Sequence, residues 1–223
     1  MSAARPARAR VARLVLALAC ALGLASVAQA APTAAQVTAL CKDAEDQAHC
    51  GRLIEQEQMK RLPGMAERNG DELRIALFPT GTVTFRDTVP VNGARTYALW
   101  DYLDRINAVV LFTTDGEQTG FLLLQRSNGK QFRLPSEPAL SPDRQYLVTA
   151  DFCASGCEGE LAVWRVSRDD IRKALAWKPQ APWSDASVMW KDPDTLRVDY
   201  TVDGETTPRS LERRLDAAGW SKR

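Results

Sequence analysis

Two hydrophobic periods divide the chain. Between residues 31 and 64 apolar positions recur at helical spacing, and from Asp71 onward they alternate every second residue. Thr33 precedes "AAQVTALC", whose alanines and Leu40 favour a helix with Thr33 as its N-cap. A second helix is predicted from about Asp46 to Leu62, with Cys50, Leu53 and Ile54 on one face. Its apolar stripe is short, because the next turn of that face carries Glu57 and Gln58. Asp43, Glu45 and Asp46 stand at its start and Lys60 and Arg61 near its end, as the helix dipole favours. Pro63-Gly64 stops it.

In the alternating part, "DELRIALF" and "TVTFRDT" flank Pro79-Thr80-Gly81, a hairpin signal. Three further segments follow at spacings of roughly forty residues. They begin at "NAVVLFTTDGEQTGFLLLQ", "ALSPDRQYLVTADF" and "VMWKDPDTLRVDYTV". Each reads as a strand, a polar turn, a second strand and a weaker third element. Leu196, Val198, Tyr200 and Val202 alternate with polar residues, so that strand keeps one wet face. "AVVLF" and "LAVWRV" are apolar on both faces and belong inside a sheet. Trp164, Trp177, Trp183 and Trp190 are read as packing residues.

The stretch "SPDRQYLVTAD…GELAVW", residues 141–164, resembles a blade of a WD-repeat or TolB-type β-propeller, and "WKDPDTLRVDY", residues 190–200, resembles the same turn and strand of a following blade. No Gly-His or Trp-Asp signature accompanies them. The resemblance implies architecture and no particular reaction. A closed propeller takes at least about four blades of about forty residues. Residues 71–223 number 153, barely enough, so an incomplete propeller or a curved meander is equally expected. "CKDAEDQAHCGRLIEQEQ" is also similar to small exported domains of the lysozyme-inhibitor LprI type. The expected fold is therefore mainly β with an N-terminal helical hairpin: antiparallel meander repeats forming incomplete or small propeller-like sheets. Its parts are residues 1–30, a leader, 31–64, the hairpin, and 65–223, the β-rich domain.

Charge and composition place the protein. Arg5, Arg8, Arg10 and Arg13, the apolar run from Leu14 to Val27, and Ala28-Gln29-Ala30 read as a signal peptide cut after Ala30. Cys20 offers an alternative lipoprotein anchor. Cleavage changes the net charge from +1 to −3, because four arginines leave and no acid does. A weakly acidic, mixed-sign surface argues against nucleic acid. No later run approaches the ~18 apolar residues of a membrane span. Of the 29 basic residues, 22 are arginine, and alanine is abundant, which points to a GC-rich bacterial genome and a periplasmic home.

Four cysteines follow the leader, an even number that reads as two disulfides in an exported chain, with three connectivities open. A continuous helix would hold Cys41 and Cys50 ~13.5 Å apart. If they pair, the helix must break between about Asp43 and Gln47, giving a stapled hairpin worth ~2–3 kcal/mol. Cys153 and Cys157 would stand ~13 Å apart in an extended chain. Ser155-Gly156 and Gly159 signal a reversal there, so a Cys153–Cys157 bridge worth at most ~2 kcal/mol is expected.

Candidate chemistry is sparse. His49 is the only histidine, and nothing beside it completes a triad. Ser155 in "CASG" lacks the first glycine of a nucleophile elbow. Cys153-x₃-Cys157 has a zinc-like spacing, but Cys41 and Cys50 supply no second knuckle. As a redox dithiol it has one residue too many, and Asp151, Glu158 and Glu160 would disfavour a thiolate. Asp192-Pro193-Asp194 and Asp143 are read as turn chemistry.

No metal or cofactor and no catalytic residue is assigned from the sequence. The expectation is a non-enzymatic binding protein, an inhibitor, immunity or envelope-assembly factor. Its partner is expected to be another envelope or secreted protein, and its oligomeric state is left open. The alternative is a carboxylate-based hydrolase of the envelope. In either case Asp151, Glu158 and Glu160 form the group to watch.

Overall fold

A computed structural model describes residues 31–88, 94–167 and 170–222. The leader read from residues 1–30, with Cys20, lies outside them. Helix α1 (Ala34–Cys41) starts at Thr33, whose Oγ1 accepts from the Gln36 N–H while the Gln36 side chain accepts from the Thr33 N–H. Helix α2 (Gln47–Arg61) starts at Asp46, which caps the His49 N–H at 2.7 Å. The break between them falls where a Cys41–Cys50 bridge requires it, and the bridge is formed across a Cα separation of 4.9 Å.

Fifteen strands follow among the described residues, in four antiparallel sheets. The first contains β1 (Ala66–Asn69), β2 (Glu72–Ala76) and β3 (Thr82–Arg86). The second runs β4 (Arg95–Leu103), β5 (Ala108–Asp115), β6 (Gln118–Gln125) and β7 (Gln131–Leu134). The third has β8 (Ala139–Leu140), β9 (Tyr146–Asp151), β10 (Glu160–Val166) and β11 (Ile171–Trp177). The fourth has β12 (Trp183–Asp192), β13 (Thr195–Val202) and β14 (Arg209–Arg214). The short β15 (Ser221–Lys222) returns to pair with β11 at the edge of the third sheet.

The sheets pack face to face in chain order. Leu73, Ile75 and Phe85 of the first meet Leu99, Val109, Leu111, Leu122 and Leu124 of the second. The opposite face of the second sheet, with Val110, Phe112 and Leu123, meets Ile54 of α2 and Leu147 and Ile171 of the third. Val148, Leu161 and Val163 then pack against Trp183, Leu196 and Val198 of the fourth. This explains why "AVVLF" and "LAVWRV" are apolar on both faces: each strand lies between two layers. The protein is thus mainly β, with two helices near the N-terminus and successive meanders. No barrel or propeller closes among the described residues.

Turn chemistry follows the sequence reading. The Ser141 hydroxyl donates to Asp143 at 2.6 Å and accepts from the Tyr146 N–H at 3.0 Å. Asp192 accepts from the Asp194 N–H at 3.0 Å. The chain end is held by Arg213, whose guanidinium lies 4.2 Å from the Trp177 ring and 4.7 Å from the Trp220 ring.

One departure concerns α2. The polar turn read as the end of its apolar stripe is partly interior: Gly51, Ile54, Glu55 and Gln58 are the buried positions. Helix α2 lies along β4, the edge strand of its sheet, and such an edge offers unpaired backbone groups that a polar side chain can satisfy. Close approach also explains Gly51. A Cβ there would lie 2.9 Å from Phe112 Cδ1 and 3.3 Å from Ala98 Cβ. Phe112 is confined by Trp100 and Phe121 at ring separations of 5.5 and 5.6 Å, so it has little room to yield. Gly51→Ala gains about 1 kcal/mol of helix propensity but overpacks this contact by about 2 kcal/mol. A net loss of about 1 kcal/mol in chemical denaturation is expected, where an exposed helical glycine would show a gain.

Candidate functional site

The acids singled out in the sequence do meet, at the hairpin mouth between β9 and β10. Cys153 and Cys157 are bridged there with a Cα separation of 5.6 Å, and Gly156 and Gly159 take positive φ in the reversal. Asp151 accepts from the Glu158 N–H at 3.0 Å, which ties the loop back to the strand. Glu160 is buried and ion-paired with Lys173. Lys173 also lies 3.9 Å from the exposed Glu158 carboxylate and 5.3 Å from the Trp164 ring centroid. Lys178 donates to the Glu158 carbonyl at 2.8 Å. Two lysines thus serve this acidic group, and its geometry is that of a braced loop. His49 is local as well: its Nδ1 accepts from the Glu45 N–H at 3.2 Å. Among the described residues no cluster of three or more His, Cys, Asp or Glu could hold a metal ion.

Among the described residues, a different pair of acids lacks such cations at bonding distance. Strand β4 carries a bulge: Leu99 pairs with Leu111 and Asp101 with Val110, so Trp100 is the extra residue. The bulge resets the alternation. Tyr97, Leu99 and Tyr102 pack toward the first sheet, while Trp100 and Leu103 pack with the cluster on the opposite face. Asp101 and Leu103 both line a cavity of about 580 Å³ at the junction of the second, third and fourth sheets. Its other walls are Ser136 and Glu137 from the β7–β8 loop, Ala150, and Ala186 to Val188 on β12. Pro138, Ala139, Leu140 and Ala31 complete the lining.

Asp101 is 6% exposed and has no side-chain hydrogen-bond or salt-bridge partner among the described residues. Burial pushes its carboxyl up to about 6, against the backbone N–H of Tyr102 and the positive field of Arg61, and with help from Asp104. Glu137 accepts from the Trp100 indole N–H at 2.8 Å. Burial raises its pKa, Trp100 opposes this, and Asp101 adds to the rise. The Ser136 hydroxyl is buried without a partner among the described residues. Such groups are costly unless something satisfies them, and acids whose pKa burial raises within a cavity are candidates for a functional site.

Neither acid stood out in the sequence. Glu137 sits in "LPSEPAL", which reads as a loop, and Asp101 in "YALWDYL". The one legible signal was Asp101 itself, a charge inside an apolar strand run. No family model matches the chain, and comparison with curated proteins finds no relative.

Proposed function

We propose that the protein is an exported, non-enzymatic binding protein of the bacterial envelope, with the Asp101–Glu137 cavity as its recognition site. The observation that carries this reading is a buried carboxyl, a half-buried one and a hydroxyl unpaired among the described residues, all converging on one cavity. Such a lining fits a group with positive charge and several N–H donors, as a primary amine or guanidinium on an envelope or secreted partner would present. The apolar walls of Ala139, Leu140, Ala150 and Val188 take the attached carbon chain. The two disulfides agree with an oxidising compartment, and the leader read from residues 1–30 supplies the route, with cleavage after Ala30 and residence in the periplasm. An anchor at Cys20 would keep the same domain at the membrane surface.

Binding a cation there requires ionised acids, so affinity rises as pH passes upward through the Asp101 value of about 6. Titration with n-butylammonium and n-butylguanidinium, followed on the Trp100 indole N–H resonance, tests this. Saturable shifts at pH 7.5 that weaken by about tenfold at pH 5 are expected. They should disappear in Asp101→Asn/Glu137→Gln. An indole resonance indifferent to both probes would remove the reading.

The same acids favour a second reading, an envelope hydrolase in which protonated Asp101 is the general acid and Glu137 the paired carboxylate. Cleavage of cell-wall glycan fragments that vanishes in Asp101→Asn while folding is intact would establish it in place of the first. The binding reading is preferred because Trp100 already engages Glu137 and the remaining cavity walls are mainly apolar.

A further inference from the structure

We infer that the α-ammonium of Ala31, freed by cleavage after Ala30, seats between Asp101 and Glu137 and is the resident cation of the cavity. The inference rests on the cation-site reading above and names that site's occupant as the chain's own amino terminus. Two independent observations meet at one residue. The small-residue pattern Ala28-Gln29-Ala30 places the new terminus at Ala31, and the fold places Ala31 in the wall of the cavity that holds both acids.

The position of Ala31 is held from the other side. Pro32 is buried, and its ring restricts the backbone. Thr33 is locked by its reciprocal bonds with Gln36. The Cys41–Cys50 bridge then fastens α1 to α2, and α2 is bonded to β4 through Glu55. The terminus is therefore carried on a braced helix and delivered to one place.

The chemistry of cleavage fits the lining. Hydrolysis of the Ala30–Ala31 amide by an export peptidase adds one water across the bond, leaving a carboxylate on Ala30 and an amine on Ala31 that takes up a proton. Before cleavage the Ala31 nitrogen is a neutral amide with one N–H. Afterwards it carries a positive charge and three donors. The cavity offers matching acceptors in Asp101, Glu137 and the unpaired Ser136 hydroxyl. Arg61 and Asp104 are the other charges acting on Asp101. The site is thus complete only in the processed chain, and an external amine competes with the terminus for it.

Titration of the Ala31 methyl resonance in the mature chain, starting at Ala31, tests the placement. The α-amino pKa is expected at least about one unit above its ordinary ~7.7–8.0. It should return to that range in Asp101→Asn and in Glu137→Gln. Adding one glycine before Ala31 keeps the charge but moves it by about 3.5 Å, and should also abolish the rise. An ordinary value in the wild type, unmoved by either substitution, overturns the inference. A second arm separates it from the broader reading. Nα-acetylation removes the competing ammonium, so n-butylammonium should bind the acetylated chain about tenfold more tightly than the free-amine chain. Equal affinities overturn the inference and leave the cation site standing. A raised Ala31 pKa with no amine binding to either chain sustains the inference and removes the external ligand.

Discussion

Replacing Glu55 by alanine is expected to cost about 3–5 kcal/mol, the usual loss when one member of a buried ion-pair network is removed. Glu55 is 2% exposed, and its two oxygens serve three elements. They accept from Arg68 Nε and Nη2 at 2.8 and 2.7 Å, from the Leu99 backbone N–H at 3.0 Å, and from Arg52 at 3.3 Å. Asp87 adds ion pairs to both arginines and accepts the Tyr97 N–H at 3.0 Å. The carboxylate therefore clamps α2 to the β4 edge and to β1 at once. Without it, Arg52 and Arg68 face each other with Asp87 as the remaining acid, and the Leu99 N–H loses its acceptor. Glu55→Gln keeps an acceptor for Leu99 and should cost less than Glu55→Ala. Urea denaturation reads both, and a loss below about 1 kcal/mol for the alanine variant would mean that solvent replaces the clamp. Glu55→Ala and Arg68→Ala should also combine to less than their sum, because they break one interaction.

The second large effect is a pH dependence with an unusual sign. Most carboxyls stabilise a fold more as they ionise, whereas Asp101 is held near 6 by burial, above its unfolded value of ~3.9. The folded state binds that proton more tightly than the unfolded state does. Its contribution is therefore complete below about pH 4 and is lost as pH rises through about 6. The full loss is about 3 kcal/mol. The chain to measure is the Nα-acetylated one starting at Ala31, in which the Ala31 nitrogen remains an amide. Its stability should show this fall between pH 4 and 7, and Asp101→Asn should abolish the fall and be the more stable protein at pH 7. In the free-amine chain the neighbouring ammonium favours the ionised acid, so the fall should be shallower. An acetylated chain whose pH profile matches that of Asp101→Asn would show that Asp101 titrates normally.

Much of the architecture was readable from local pattern. The Thr33 cap, the stop at Pro63-Gly64, the Pro79-Thr80-Gly81 turn and the Ser141-Pro142-Asp143 turn all depend on residues within about five positions of one another. Alternation marked β13, and runs apolar on both faces marked β5 and β10 as interior. The Cys153–Cys157 pair was legible for the same reason, since Ser155-Gly156 and Gly159 signal the reversal it closes, whereas the Cys41–Cys50 pair was one of the connectivities left open and is formed across the helix break. The buried polar face of α2 was not. Glu55 resembles a solvent-facing residue until β4 and Arg68 supply its partners from 13 to 44 positions away, and Gln58 gives no local sign of its burial.

Local pattern was enough to read a mainly β protein with a helical hairpin, because helix period, strand period and turn chemistry act over a few residues. Only the packed chain shows which acids share a cavity. A one-residue bulge at Trp100 sets the face on which Asp101 lies, and the cavity joins residues 31, 101, 137, 150 and 187 from distant parts of the chain. Burial, which no local pattern reports, then shifts those two carboxyls. The acidic loop at Cys153–Cys157 is conspicuous in sequence, yet Lys173 and Lys178 reach it from β11 and the loop beyond. Closure was likewise a global matter: four sheets stack in order, and β15 returns to the third sheet instead of bridging the last to the first.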